Sequence, residues 1–370
     1  MDTILVVNAG SSDLRFHVYS VEGEGRLRQR LKGQMNGIGR CPRLRASRAG
    51  SGPLANRAYP TEAVPDVAAA MDIISAWLQD ELHINPIAVG HRVIHGGTEH
   101  DHPVLIDHEV LARLERLTAS APFDLPRNLA PIRSILANFL APPQVACFDT
   151  AFHRTHPAVA DHYAVPRTPY AEGVRRYGLH GLAYEYIAKA LPKIAPEIAM
   201  GRVIVARLGS GASMCALSGG RSVESTMGFT ALDELPMGAG PSQIDQGVML
   251  SGDMRQLEAS EDPNAKFAID RFVYRIGLNA GMLAAALQGL DAFVFAAEVG
   301  ENSASLRSRV AEQLAWLGVE LDAKENALQS QLISSPASRI PVYVVPSDED
   351  IMIARHTLAL LMNGNSGMPS

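Results

Sequence analysis

The chain is short of the residues that mark several large protein classes. Its 370 residues include only three cysteines and two tryptophans, and charged side chains make up 19%. Cys41, Cys147 and Cys215 lie far apart with no CxxC among them, which excludes a disulfide framework and a zinc knuckle. Cys147 and Cys215 sit in apolar runs and read as small buried hydrophobes. No apolar stretch is long enough to span a bilayer. There is no excess of basic residues either: 33 Lys and Arg stand against 39 Asp and Glu, for a net charge of -6. A footprint for nucleic acid is therefore not expected. A GxxxxGK[ST] loop and a GxGxxG opening a helix are both missing, as are HExxH and GxSxG, so Walker, dinucleotide, zincin and hydrolase-elbow readings lose support. Met1-Asp2 runs straight into a strand-like segment without a basic n-region. No signal peptide is expected, and the reading is a cytoplasmic protein without a membrane segment.

What the chain does have is apolar content, 47%, enough to exclude disorder. Its length suggests two domains, each with its own core. Short β-rich runs at Ile4–Val7, Val145–Phe148, Val203–Ala206, Phe293–Ala296 and Val342–Val345 alternate with helical patterns, the signature of α/β layers. From Lys266 to Leu290 the apolar residues Ile269, Phe272, Val273, Ile276, Ala280, Leu283 and Leu287 recur at helical spacing. The Gly-, Pro-, Arg- and Ser-rich stretch from Gly37 to Pro65 reads as exposed hairpin loops, and Asn363–Ser370 as a frayed tail.

One internal similarity bears on function. Ile4-Leu-Val-Val-Asn-Ala-Gly-Ser-Ser12 is followed by alternating Leu14, Phe16 and Val18. Val203-Ile-Val-Ala-Arg-Leu-Gly-Ser-Gly-Ala-Ser213 is likewise followed by a strand-like run. Both read as strand, tight Gly/Ser turn, strand. Such a turn lets the backbone approach a ligand and turns amides and hydroxyls toward an anion. An ordinary turn is the competing reading. Two such hairpins, one per half, suggest two related domains closing on one phosphate chain.

The short motifs then add up in order. Asn8-Ala-Gly-Ser-Ser-Asp-Leu-Arg-Phe16, Gly90-His-Arg-Val-Ile-His-Gly-Gly97, Phe148-Asp-Thr-Ala-Phe-His153 and Arg175-Arg-Tyr-Gly-Leu-His-Gly181 are followed by Met227-Gly-Phe-Thr230, Gly300-Glu-Asn302 and Ser347-Asp-Glu-Asp-Ile-Met-Ile-Ala-Arg355. As a series they resemble the acetate kinases, within the acetate and sugar kinase, heat-shock and actin superfamily. The resemblance covers almost the whole chain. It implies an α/β fold of two ribonuclease-H-like (actin-like ATPase) domains with a central cleft. Residues 1–150 plus 351–370 would form the acyl and phosphate side, and 151–350 the nucleotide-binding domain. It also implies ATP as co-substrate, Mg²⁺, acetate or acetyl phosphate as the small substrate, and a homodimer.

The implied roles fall on particular residues. Asp149 ends an apolar strand, where a strand-end cap competes with a carboxylate that orients metal or acceptor. Arg92 can grip carboxylate and phosphoryl oxygens in a bidentate fork. His180 matches the family histidine that stabilises the transferring group; without the resemblance it reads as a packing histidine. His91 and His95 are spaced like metal ligands but lack a third, and read as structural. Asn8 and Glu349 match positions near the metal, with Asp350 an alternative and a helix N-terminal charge cluster the competing reading. For the nucleotide the matches are Arg15, Arg207, Gly209, Ser210, Gly211, Asp253, Met254, Arg255, Gly300, Glu301 and Asn302. Gly300–Asn302 is expected to close a strand-to-helix turn. Ile94, Phe123, Leu179 and Ala231 fall where the family's acyl pocket lies, apolar and suited to a short alkyl group. Such pockets separate acetate from propionate only weakly, by about 1 to 3 kcal/mol per methylene.

Several positions depart from the pattern. Gly240 stands where the family has its second active-site arginine, and arginines placed against a transferring phosphoryl group are worth ~10³ to 10⁵ in rate. Asp13, Arg15, Asp124, Tyr184, Arg207 and Ser210 also differ from the pattern. Glu298 replaces a glycine beside the nucleotide turn, and the segment from Gln246 to Asp253 is short. Two functions follow from these observations: an acetate kinase working by direct in-line transfer, or an impaired relative that binds nucleotide or a partner.

Overall fold

The structure, a computed structural model, describes all residues except 11–12, 51, 138–140, 165–169, 171–172, 210, 229–234, 236–252 and 366–370. The chain divides into two compact units, Met1–Ala151 with Asp348–Ser370, and Phe152–Ser347.

The first unit is built on an eight-stranded sheet. Its strands are β1 (Thr3–Ala9), β2 (Asp13–Glu22), β3 (Arg26–Asn36), β4 (Arg43–Arg48), β5 (Pro53–Ala58), β6 (Ala88–Val93), β7 (Val104–Leu105) and β8 (Gln144–Phe148), in the order β5-β4-β3-β2-β1-β6-β8-β7. β1 is buried along its whole length, as expected of a central strand covered on both faces. β2 alternates: Leu14, Phe16 and Val18 point into a core with Met71, Ile74 and Trp77, while Arg15 is exposed. Phe16 meets Trp77 edge-on at a ring distance of 6.1 Å. Helix α1 (Val67–Ala76) and helix α2 (Leu125–Leu136) pack together, and the C-terminal helix, Glu349–Asn365, lies against β1, β6 and β8.

The second unit carries β9 (Arg202–Leu208), β10 (Ala212–Ser218), β11 (Arg221–Ser225), β12 (Ala292–Ala296) and β13 (Val342–Val344), in the order β11-β10-β9-β12-β13. Its longest helix, Pro263–Leu287, starts on an Asp262 cap with Pro263 at its first turn and stops at Gln288 in the left-handed region. The stripe from Ile269 to Leu287 is its buried face.

The duplication read in the hairpins extends to the whole sheet core. β3-β2-β1-β6-β8 and β11-β10-β9-β12-β13 share one order. In each set the first three strands are antiparallel neighbours and the last three parallel ones. Two expectations fail outside that core. Residues 37–65 are not only hairpin loops: β4 and β5 extend the first sheet, because Leu44 and Ala46 alternate inward and Leu44 pairs with Met35. The tail is also shorter than expected, since the C-terminal helix reaches Asn365, anchored by buried Met352, Ile353, Ala354 and Leu358.

Candidate active site

In the first unit parallel β1, β6 and β8 deliver three polar side chains to neighbouring strand ends. Asn8 lies on β1, Arg92 on β6, and Asp149 directly after β8. Arg92 Nε and Nη2 both donate to Asp149 Oδ2, at 3.0 and 2.5 Å, and Nη1 reaches Asn8 Oδ1 at 3.4 Å. Asn8 Nδ2 in turn donates to Glu349 Oε1 at 3.0 Å. The guanidinium needs an acceptor and the carboxylate a donor, so the network itself fixes the amide orientation. Asp149 is wholly buried and Asn8 and Glu349 nearly so. Burial pulls the Arg92 pKa down, but Asp149, Glu349 and Asp350 outweigh it and hold the group above its ordinary value. Asp350 is pushed up by burial and by its neighbour Glu349.

Close packing sets this geometry. A Cβ at Gly90 would lie 2.3 Å from Thr357 Oγ1 and 2.7 Å from Ile353, so glycine lets the C-terminal helix approach β6 and brings Glu349 to Asn8. Asn128, which carried no signal in the sequence, ties the strands together. Its amide donates to Ala9 O and accepts from Ile94 N, each at 2.9 Å. His91 is held by Gln144 at 2.7 Å and His95 Nδ1 accepts from Gly97 N at 2.9 Å; burial lowers both pKa values to about 4. Both act as structural, neutral imidazoles.

Among the described residues no group of three or more His, Cys, Asp or Glu is placed to hold a metal. The described residues therefore form no dedicated cage. Mg²⁺ does not need one, since it keeps several waters and is often held by one or two carboxylates with substrate phosphates. Glu349 and Asp149 supply buried oxygen donors of that kind, and the donor set fits. Asn8 commits both ends of its amide to Glu349 and Arg92, so it positions those two groups.

In the second unit His180 adopts φ 57 and ψ 22, left-handed for a non-glycine residue, immediately before the helix Gly181–Ile194. Its Nδ1 lies 2.9 Å from Ser213 Oγ, and Tyr184 Oη lies 2.5 Å from the same oxygen. Behind it, His153 Nε2 donates to Leu179 O at 2.8 Å, and His153 Nδ1 lies 2.8 Å from Ser222 Oγ. His156 Nε2 also reaches Ser222 Oγ at 2.8 Å. Burial lowers His153 to about 4 and His156 to about 3, so both are neutral. A Cβ at Gly178, φ +70, would meet the His153 ring at 2.5 Å. The sequence patterns around His153 and Gly178 therefore encode the support beneath His180, and Ser213 is the partner that sequence reasoning missed.

The nucleotide-side residues are partly gathered. Gly209, Asp253, Met254, Arg255, Glu298 and Asn302 line a cavity of about 370 Å³. Asp253 caps the helix Met254–Ala259 through Arg255 N and pairs with the Arg255 guanidinium at 3.0 Å; Glu298 lies 3.7 Å from the same guanidinium. Arg207 Nη1 donates to Gly211 O at 3.0 Å, closing the β9–β10 turn. Gly300, Glu301 and Asn302 do not form a strand-to-helix turn. They end the short helix Ala297–Asn302, and the turn falls at Ala297, φ +63. Buried Arg307, also unread in the sequence, donates to Gly300 O at 3.0 Å and Glu301 O at 2.7 Å, satisfying that helix end. Glu301 Oε1 accepts from Ser347 N at 3.1 Å, and burial raises its pKa.

The expected acyl residues fall in different units. Ile94 packs at the edge of a core with Val93, Leu114 and Leu129 in the first, and Leu179 is buried in the second. Phe123 is 77% exposed in the loop before helix α2, whereas Leu125 takes the inward position. Ala231, Ser210 and Gly240 lie outside the described residues.

The profile of the Acetokinase family matches this chain over residues 3–251 and 248–355. An acetate kinase of Nitrobacter hamburgensis is 64% identical over 395 residues, covering 99% of this chain and 98% of its own. Among solved structures, a propionate kinase from Francisella tularensis superposes with a TM-score of 0.87 at 29% identity, covering 97% of this chain and 100% of the other. Porphyromonas gingivalis acetate kinase gives 0.83 at 29% identity, over 98% and 100%.

Proposed function

The chain belongs to the acetokinase family, and from that membership we infer that it is a phosphotransferase acting between ATP and acetate, giving ADP and acetyl phosphate. A carboxylate oxygen of acetate attacks the γ-phosphorus as the bond to the ADP oxygen breaks, and the departing ADP keeps that electron pair. No proton has to move in this step. The protein's task is alignment and charge neutralisation.

The observation that carries the reading is the buried chain Glu349–Asn8–Arg92–Asp149. Asp149 and Asn8 fix the Arg92 guanidinium, leaving it a preorganised cation for acceptor and phosphoryl oxygens. His180, its Nδ1 side engaged with Ser213, donates to the phosphoryl oxygens as their charge spreads in the transition state. Glu349 and Asp149 would hold the divalent metal, Mg²⁺ in this reading, which would supply neutralisation of the phosphate charge. Gly209, Asp253, Met254, Arg255 and Asn302 take the nucleotide in their cavity. Arg15 and the Arg207–Gly211 turn serve its phosphates. The protein acts as a cytoplasmic homodimer, as the family resemblance implies.

The assay is hydroxamate trapping of acyl phosphate with ATP and Mg²⁺, run with acetate and with propionate. Asp149→Ala and His180→Ala should each abolish product, while Gly240→Arg should raise kcat/KM by restoring the arginine that the family pattern carries. Unchanged turnover in both alanine variants would overturn the assignment of the site.

A further inference from the structure

The strongest feature left without a role lies on the outer face of the first unit's sheet. From Arg26 to Pro60 the sequence carries nine basic residues and no acidic one, in a chain whose net charge is -6. Strand register turns part of this run into a patch. Asn8 stands opposite Arg15, Arg15 opposite Gln34, Gln34 opposite Arg45, and Arg45 opposite Asn56, a single row across β1 to β5. In the adjoining row His17 faces Lys32, and Lys32 faces Ser47. Cross-strand partners share a face. The intervening residues Leu14, Phe16 and Leu44 are buried in the core on the other side. Both rows therefore lie on the face opposite that core, exposed at Arg15, Lys32 and Arg45, and the first begins at buried Asn8 of the catalytic network.

A cavity of about 500 Å³ lies over these rows, lined by Arg15, His17, Lys32, Gln34, Arg45 and Asn56 among others. Its charge is one-sided. Asp13 lies 3.7 Å from Arg15, but the cross-strand neighbours of Lys32 and Arg45 are His17, Ser47, Gln34 and Asn56. None of these is an acid. His17 adds no charge of its own, since burial, reinforced by Arg15 and Lys32, lowers it to about 4. At the inner end Asp350 lies 3.4 Å from His17 and confines the positive field to the Arg15, Lys32 and Arg45 side. Arg15 and Arg45 are two strands apart, about 10 Å at the backbone, a span that a single phosphate does not bridge and a chain of linked phosphates does.

We propose that this groove binds a small anion carrying linked phosphate groups, at a site built by Lys32 and Arg45 with Arg15 at its inner end. The volume suits a ligand of that size, and guanidinium and ammonium groups with no carboxylate opposite recognise phosphate oxygens directly. Arg15 is shared with the phosphate role given to it above, whereas Lys32 and Arg45 belong to the groove alone, and they are the residues that the test removes.

The probe is inorganic tripolyphosphate, titrated calorimetrically into the full-length protein at low salt. The comparison is Lys32→Ala/Arg45→Ala, which leaves Arg15 and the catalytic network intact and should keep wild-type activity as proof of fold. Wild type should bind tripolyphosphate at least about tenfold more tightly than the double variant, since a single charge-assisted hydrogen bond contributes about that factor. Binding should weaken with added salt, and Lys32→Arg should retain it. Equal affinity in wild type and double variant would place the anion elsewhere, and no binding to wild type would remove the site. Orthophosphate binding as tightly as tripolyphosphate would refute the linked-phosphate specificity.

Discussion

Asp149→Asn probes the catalytic network most directly, because it keeps shape and removes one charge. The Asp149 side chain is fully buried and accepts two bonds from Arg92, whose own side chain is 16% exposed. Breaking a buried pair by neutralising one partner typically costs about 3 to 5 kcal/mol, because the other charge stays desolvated. Glu349 and Asp350 still act on Arg92, and the asparagine oxygen can accept one bond. Both place the expected loss at the lower end, about 3 kcal/mol. Urea unfolding followed by circular dichroism measures it as a lower midpoint at unchanged slope. Asp149→Asn/Arg92→Met should then recover part of the loss, since the orphaned cation is gone, and the cycle gives the coupling energy. Activity should be lost in both variants. A destabilisation below about 1 kcal/mol for Asp149→Asn, with no recovery in the double variant, would refute the view that these two groups form a buried, mutually dependent pair.

Two further outcomes follow from the same geometry. Burial lowers His91, His95 and His153 from 6.5 to about 4 and His156 to about 3, so the unfolded chain takes up protons near pH 6.5 that the folded chain refuses until about pH 4. Stability should be full above pH 6.5 and fall as pH drops toward 4, by about 3 kcal/mol per histidine; urea midpoints at pH 7.0, 5.5 and 4.5 test this, and identical midpoints would contradict it. Glu298→Gln should tighten ATP binding about twofold to fivefold by calorimetry, a limited gain because Arg255 at 3.7 Å already offsets an exposed carboxylate; unchanged or weaker binding would show that Glu298 does not act on the nucleotide.

Residue order alone encodes the elements whose logic is local. Alternation in Leu14, Phe16 and Val18, the helical stripe from Ile269 to Leu287, and the repeated strand-turn-strand of residues 4–18 and 203–218 each carry a period or a turn, and the ordered motifs named the family. Asp149 and Arg92 were readable as neighbours of strand ends. What those side chains touch came from long-range pairing in the folded chain. Parallel alignment of β1, β6 and β8 joins Asn8, Arg92 and Asp149 across more than a hundred residues of chain, and the last helix adds Glu349 to Asn8. Asn128 between two strands and Arg307 at a helix end carry no periodic or motif signal, and Ser213, though it ends a quoted motif, gives no sign in sequence of its pairing with His180; each acts through hydrogen-bond partners set by the fold. Registers such as Arg15 with Gln34 and Gln34 with Arg45 depend on which strands pair, and that choice belongs to the sheet as a whole.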